Sequence, residues 1–523
     1  MARAGIRRGG GRSAKVSAGT SGSNTGDVSG TAQKRVAAYH NTQNRLPHMH
    51  AFSADEVEHI HHTALRILQE LGIKVLLPEA RDIFVAAGAR LEDDMVFLDT
   101  GMVETAVAKA PKAFTLHGRA PHRDLTVDAK TVHFGAGAGC PNITDLERGR
   151  RPGSLEAFRE TTRLQQSFDI ISKLTPSAEP QDIPVNLRHL DTMEIQLTES
   201  DKCPWIYSRG RAQVEDAFRC VAAAKGLDEE TFHEAAHCFT VINTNSPRQL
   251  DIPMSQGIID FARWGQPSVI TPFCLAGAMA PITVAGALTL SHAEAMAGIA
   301  LAQLVRPGAP VIYGAFSSNV DMKSGAPVFG TPEHMKANFG AGQLARHLGL
   351  PWRSAAGTAA NLADSQAANE TQLALWGTLL GGANFIYHAA GWLEGGLTFS
   401  MEKFICDLEV LQTVALAIQP VSAGDDEIGF DSLAQVQPGG HFFDAPQTME
   451  RYKFAFYEPL LSDWSNFGQW TDAGAVPSEV RATQIWKQKL AEFETPPMGA
   501  DHKEALQAFV TKRKAKGGAD LLD

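Results

Sequence analysis

The sequence predicts an α/β protein built on a (β/α)8 TIM barrel. Three observations lead there. From Thr131 onward, short apolar and β-branched runs alternate with stretches whose apolar residues recur at helical spacing, the pattern of parallel βα units. Eight such units fit between residues 131 and 420, the length one barrel needs. Glycines mark strand exits, as at Gly357 and Gly391, and a barrel collects its chemistry at that end. A doubly wound open sheet competes for the same alternation.

In chain order, residues 1–45 read as a disordered basic tail. Arg3, Arg7, Arg8, Arg12, Lys15, Lys34 and Arg35 face a single acid, Asp27, amid Gly and Ser, with too little apolar surface to fold. An Arg-rich, Ser-rich start also matches an organelle transit peptide, although no amphipathic helix is evident. Residues 46–130 form a small α+β layer. Ser53 followed by Glu56 is a capping box opening a helix that Gly72 closes, with His59, His61 and His62 on a solvated face. A helix from Pro78, a strand near Met95–Leu98, a helix to Ala110 and a strand at Ala113–His117 follow. The barrel strands are expected at 131–136, 170–175, 203–208, 239–243, 268–273, 310–316, 352–356 and 385–389. Residues 421–523 form a helical extension, with helices near 477–494 and 502–515 expected to act as a lid or subunit contact.

Composition narrows the function. A net charge of -11 argues against a nucleic-acid partner. Six cysteines without a C-x-x-C pair read as reduced thiols of a cytoplasmic enzyme. The uncharged run Gly265–Ser291 is interrupted by Pro267, Pro272 and Pro281, so it reads as strand, loop and helix start rather than a membrane span. Three motifs compete with a barrel-mouth site. FGAGAGC at 134–140 imitates a dinucleotide loop but lacks the following helix and the acid. His233-Glu234-Ala235-Ala236-His237 matches H-E-x-x-H formally, yet precedes a strand on the barrel's outside and has no third ligand, so no bound metal is expected. Lys173, within the second strand, raises a Schiff-base lyase.

At the predicted exits stand Phe134, Asn142, Tyr207, Asn243, Phe273, Tyr313, Phe316, Asn361, His388, Trp392 and Glu394, with Trp352 at a strand start. Rings, amides and one acid suit a cation that offers no hydrogen bond, and a quaternary ammonium is such a ligand.

The segments SADEVEHIHHTALRILQELGIKV, SHAEAMAGIALAQLVRPGAPVIYG, GTPEHMKANFGAGQLARHLGLP, DSQAANE and LEGGLTFSMEKFICD, in that order, resemble the trimethylamine methyltransferase (MttB-like) family of corrinoid-dependent barrel enzymes. The family's archetype demethylates trimethylamine with a pyrrolysine that follows a glycine. Here RSAAGTAAN occupies that place, so Gly357, Thr358 or Ala359 stands there, and Gly357 and Thr358 are expected on the corrinoid side. The resemblance thus implies the non-pyrrolysine branch, similar to glycine betaine:corrinoid methyltransferase. It implies cobalamin carried by a partner corrinoid protein and a small quaternary amine as methyl donor; a homo-oligomer is a separate expectation. Proline betaine, carnitine or trimethylamine as donor, and a betaine-binding protein without turnover, are the alternatives. Trp352, Trp392, Tyr313, Phe316 and Glu394 are assigned to an ammonium cage, with Tyr207, Phe273 and Phe134 lining it. His388, Asn361 and Arg353 are assigned to the betaine carboxylate, His388 and Glu394 being the groups nearest the chemistry.

Overall fold

A computed structural model of the protein describes residues 39–521. Most of the expected tail, residues 1–38, lies outside the described residues. Thr42–Gln43 pairs antiparallel with Val132 and Thr131, so ordered chain begins inside the expected tail. The Ser53 box is formed: the hydroxyl accepts from the Glu56 amide and the Glu56 carboxylate accepts from the Ser53 amide. Its helix, Ala54–Arg66, widens into a π turn at Ile67–Leu71 and stops at Gly72, whose φ of 69° suits a residue without Cβ. His61 departs from the expected solvated face. It is buried, with Nδ1 3.0 Å from His292 Nε2. Strands Ile73–Val75, Arg90–Glu92 and Met95–Phe97 make a small sheet that Gln249–Leu250 completes in parallel with Ile73–Val75, stitching the layer to the main body.

The main body is a parallel sheet with helices outside it. Its strands are β1 (Thr131–Phe134), β2 (Thr240–Ile242), β3 (Ser268–Ile270), β4 (Val311–Gly314), β5 (Trp352–Ala355) and β6 (Phe385–Tyr387), paired in the order β1-β6-β5-β4-β3-β2. Expected strands at 170–175 and 203–208 are not regular. There the backbone joins its neighbours singly: Phe134 bridges Ile171, the Leu174 amide donates to Cys203 O at 3.1 Å, and the Ile206 amide donates to Phe239 O at 2.9 Å. Pro176 and Pro204, without amide hydrogens, explain why these ladders do not extend.

Strand alternation sorts the aromatic residues by face. Phe385, Tyr387, Trp205, Phe239, Val269 and Ile312 form one inner cluster. Tyr313 therefore points outward, where its hydroxyl meets Nδ1 of His292 at 3.0 Å. Trp352 also points outward, onto Gly381. Phe134 lies between His133, whose ring meets Phe385, and Gly135, which faces Tyr387, so it too faces the helices. These three leave the expected cage because their neighbours in sequence hold the inner face. The outer layer includes α1 (Val284–Val305), α2 (Pro332–Leu348), α3 (Ser365–Gly381) and α4 (Met401–Ala417). Among the described residues α1 alone is long and apolar enough to cross a membrane, and most of it is buried within the protein.

After α4 come four short helices between Asp425 and Asp472, then α5 (Ser478–Ala491) and α6 (Ala500–Ala515). Neither of the last two is a lid. The buried Glu402 of α4 accepts from Thr483 Oγ1 at 2.8 Å and Trp486 Nε1 at 3.0 Å of α5. Arg513 of α6 pairs with Asp216 at 2.8 Å, and Lys514 with Asp191 at 2.6 Å, clasping the helices at Val185–Glu199 and Arg211–Lys225. Glu402→Ala strands the buried Trp486 Nε1 and is expected to lower stability by about 1–3 kcal/mol. A shift of the guanidinium unfolding midpoint measures it, and an unchanged midpoint contradicts the clasp.

Candidate active site at the strand exits

Where β6 ends, the chain turns through His388 at φ 55°, a conformation few residues with a Cβ adopt, and through Gly391 at φ 84°. Several bonds hold this turn. The His388 and Ala389 amides donate to Ala136 O and Gly135 O, at 3.3 and 3.1 Å. The Gly391 amide donates to Asp407 Oδ2 at 2.8 Å. Asp407 is buried on α4 and ion-paired with Lys403 at 2.7 Å, whose ammonium also donates to Thr371 Oγ1 at 2.9 Å. The consequence is a fixed stack: the His388 imidazole lies 4.5 Å from the Trp392 ring at 20°. Phe329 meets Trp392 edge-on at 5.1 Å, Phe316 stacks on Phe329 at 5.4 Å, and Phe273 lies 4.9 Å from Phe316. Together they form an aromatic wall at the exits of β3, β4 and β6.

Beneath the wall sits Arg353. Its guanidinium lies 4.7 Å from the Tyr387 ring centre and 5.1 Å from that of Phe316. One terminal nitrogen donates to Thr271 Oγ1 at 3.0 Å and the other faces His388 Nε2 at 3.3 Å. Arg353 is 2% exposed, its Nε has no hydrogen-bond partner, and among the described residues no carboxylate pairs with it. Burial lowers its pKa to about 10, which leaves it cationic at neutral pH. His388 Nδ1 also faces a donor, the Ala138 amide at 3.3 Å. A neutral imidazole has one lone pair and one N–H, so it accepts from only one of these two donors, and protonation would remove that acceptor and set N–H against N–H at both nitrogens. Burial and the Arg353 charge push its pKa well below 6.5. His388 is therefore neutral, and the positive charge of the site belongs to Arg353.

Gly357, at the exit of β5, lies under the indole of Trp392. A Cβ there would approach ring atoms at 2.0 and 2.2 Å. Thr358 Oγ1 and the Ala359 amide both donate to Glu370 of α3, which ties this loop down. Glu394 leaves the expected cage: its carboxylate accepts from Arg150 Nε and Nη2, each at 3.0 Å, so its charge is already met. Asn361 is exposed in the bend before α3. Tyr207 is placed at the Trp205–Ile206 segment, under the Arg209 guanidinium at 4.1 Å. Lys173 is buried between Phe385 and Tyr387, its side-chain nitrogen 4.5 Å from each ring centre and 3.2 Å from His133 O. The H-E-x-x-H residues do not share a helix, because theirs ends at Glu234. His233 stacks on Trp264 at 4.4 Å while His237 Nδ1 meets Lys225 Nζ at 2.9 Å. Thr271, Phe329, Tyr387 and the Lys403–Asp407 pair escaped the sequence reading. Only the pair carried a signal, two opposite charges four residues apart on one helix.

A Gly357→Ala substitution forces the indole to move, a steric cost of about 1–3 kcal/mol. It is expected to raise the KM for the amine roughly tenfold and to shift the tryptophan emission. An unaltered KM with altered emission would show that Trp392 does not line the substrate.

The trimethylamine methyltransferase (MTTB) family model matches residues 19–518. A glycine betaine methyltransferase from Desulfitobacterium hafniense (strain Y51) is 33% identical over 91% of this chain and 99% of its own. Trimethylamine methyltransferase MttB1 of Methanosarcina mazei is 30% identical over 89% and 95%, and MttB of D. hafniense (strain DSM 10664 / DCB-2) 29% identical over 89% and 94%. Among solved structures, the Methanosarcina barkeri monomethylamine methyltransferase (MtmB) aligns over 89% of this chain and 93% of that chain with a TM-score of 0.49 and 10% identity. An unbroken match from residue 19 to 518, together with a relative 33% identical over nearly its whole length, places this chain in the trimethylamine methyltransferase family, as a methyltransferase.

Proposed function

We propose that the protein moves a methyl group from a small quaternary ammonium carboxylate of the glycine betaine type to the cobalt of a separate corrinoid protein. The observation that carries this is Arg353, a buried cation with an unpartnered Nε and no carboxylate paired to it among the described residues. A buried guanidinium without an anion is costly, and a carboxylated substrate supplies that anion. Trimethylamine and choline have no carboxylate and leave the cost in place. The wall of Trp392, Phe316 and Phe329, stacked beside His388, offers ring faces to the ammonium end without demanding a hydrogen bond.

The residues suit a reaction without proton transfer. A quaternary nitrogen departs as a neutral tertiary amine once it loses a methyl group, so no general acid is required. His388, held neutral, is not one; its stack with Trp392 and its contact with Arg353 make it an orienting group. The chain's work is to hold the carboxylate, align nitrogen and methyl carbon toward the strand exits, and exclude water. The corrinoid, when its carrier docks, supplies the nucleophile that accepts the methyl group. Gly357, bare against Trp392, fits a branch in which the indole fills space beside the loop where the archetype carries its pyrrolysine.

We take the parallel sheet to close as an eight-membered barrel through segments 170–174 and 203–206. The bonds from Phe134, Leu174, Cys203 and Phe239 support this closure. The six cysteines, all free, accord with a cytoplasmic enzyme.

Following cob(I)alamin methylation by its spectrum, across glycine betaine, proline betaine, carnitine, choline and trimethylamine, tests the proposal. Betaines are expected to react and choline and trimethylamine to lag by at least tenfold; preference for trimethylamine would overturn it. The pH profile gives a second check. Because the folded-state pKa of Arg353 is lowered, to about 10, its cation is present below that value, and betaine binding is expected to fall as pH rises through it. With His388 far below its ordinary range, no inflection is expected near 6.5.

A further inference from the structure

Residues 421–470 form an arm without a core of its own. Between 421 and 460 only Ser432 and Ala445 are buried. Phe430, Phe443, Phe456, Trp464 and Phe467 are each 69–85% exposed, and Ile428, Leu433 and Met449 more than half exposed. An aromatic side chain offers about 150–250 Å2 of surface, so the five rings alone leave on the order of 600–900 Å2 open. A soluble monomer rarely leaves an apolar patch beyond about 300–600 Å2, and a stable interface takes about 800 Å2 from each partner. The aliphatic residues add to the larger figure. The exposed apolar area summed over this segment is comparable to what one side of a stable interface contributes.

Position and charge say what covers it. The arm is rooted on the C-terminal half of α4: the Leu461 amide donates to Glu409 Oε2 at 2.6 Å, and Arg481 of α5 donates to Leu461 O at 3.1 Å. α4 follows β6 and runs back from the strand exits, so its C-terminal half lies toward the face opposite the aromatic wall. A corrinoid protein has to reach the exits and leave at every turnover, and neither requirement suits a large apolar surface on the other side. The segment holds eight acids (Asp425, Asp426, Glu427, Asp431, Asp444, Glu450, Glu458, Asp463) against Arg451 and Lys453, which disfavours nucleic acid and anionic membranes. The basic residues 1–38 match that charge but hold few apolar side chains with which to cover five rings.

We propose that this arm is the interface through which a second copy of the chain associates, arm rings packing on the partner so that both sets of strand exits stay open. The proposal is independent of which amine is the substrate. Because the arms carry like charge, added salt is expected to strengthen the association by screening repulsion while the apolar contact persists.

Sedimentation velocity of the full chain tests this, alone and with Phe443→Ser, Phe456→Ser and Phe467→Ser combined. These side chains are exposed, so the variant is expected to keep its circular dichroism and methyl transfer while its association weakens roughly a hundredfold, to monomer at micromolar concentration. Deleting residues 1–38 is expected to leave the assembly intact. A monomeric wild type, an assembly unaffected by the triple substitution, or one that dissolves when only residues 1–38 are removed would each overturn the proposal.

Discussion

The constraint on which the site depends is a positive charge taken out of water without a partner. Arg353 reaches the inner face because it follows Trp352 on a parallel strand, and strand alternation sends the indole outward and the guanidinium inward. Once there, it meets only neutral groups: Thr271, the imidazole of His388 and two ring faces. Rings stabilise a cation without neutralising it. That leaves the arginine charged and one of its nitrogens unbonded, which is how a binding group differs from a structural one. Arg123, with Asp169 at 2.5 Å and Asp201 at 2.9 Å, shows the structural case in the same chain.

A charge of this kind is useful only if its surroundings are rigid. The strand exit beside it is fixed from outside the sheet. Asp407 takes the Gly391 amide, Lys403 takes Asp407, and Thr371 takes Lys403, so two helices hold the turn that strains His388 into a left-handed conformation. The His388–Trp392 stack and the indole's seat on Gly357 follow from that turn. The opposite end of α4 has another role, as root of the exposed arm, so one helix serves both the site and the proposed contact between copies.

Much of this was legible in the sequence. The period-two and helical patterns gave the parallel strands and their helices, and the capping box at Ser53 formed as written. The resemblance gave the family. What was not legible was which face each strand residue takes, because alternation separates neighbours without saying which of them points inward. Tyr313 and Trp352 were therefore assigned to a cage they face away from, while Tyr387 went unremarked. Glu394 was misjudged for a different reason: its partner Arg150 lies 244 residues away, and only folding brings the two together. Phe329 sits in a loop after a short hairpin and has no spacing to betray it. His61, read as solvated, is buried because His292 and His347 come to it from other helices.

The central claim is that the Arg353 charge meets the substrate's carboxylate, and a double cycle isolates that contact. Glycine betaine and its methyl ester, which keeps the ammonium but lacks the carboxylate charge, would be titrated calorimetrically into the wild-type protein and into Arg353→Met. The account predicts that the wild type prefers the acid by about ten- to a hundredfold and that the variant loses this preference, a coupling of about 1.5–3 kcal/mol. Equal discrimination by both proteins would place the carboxylate elsewhere and contradict the account.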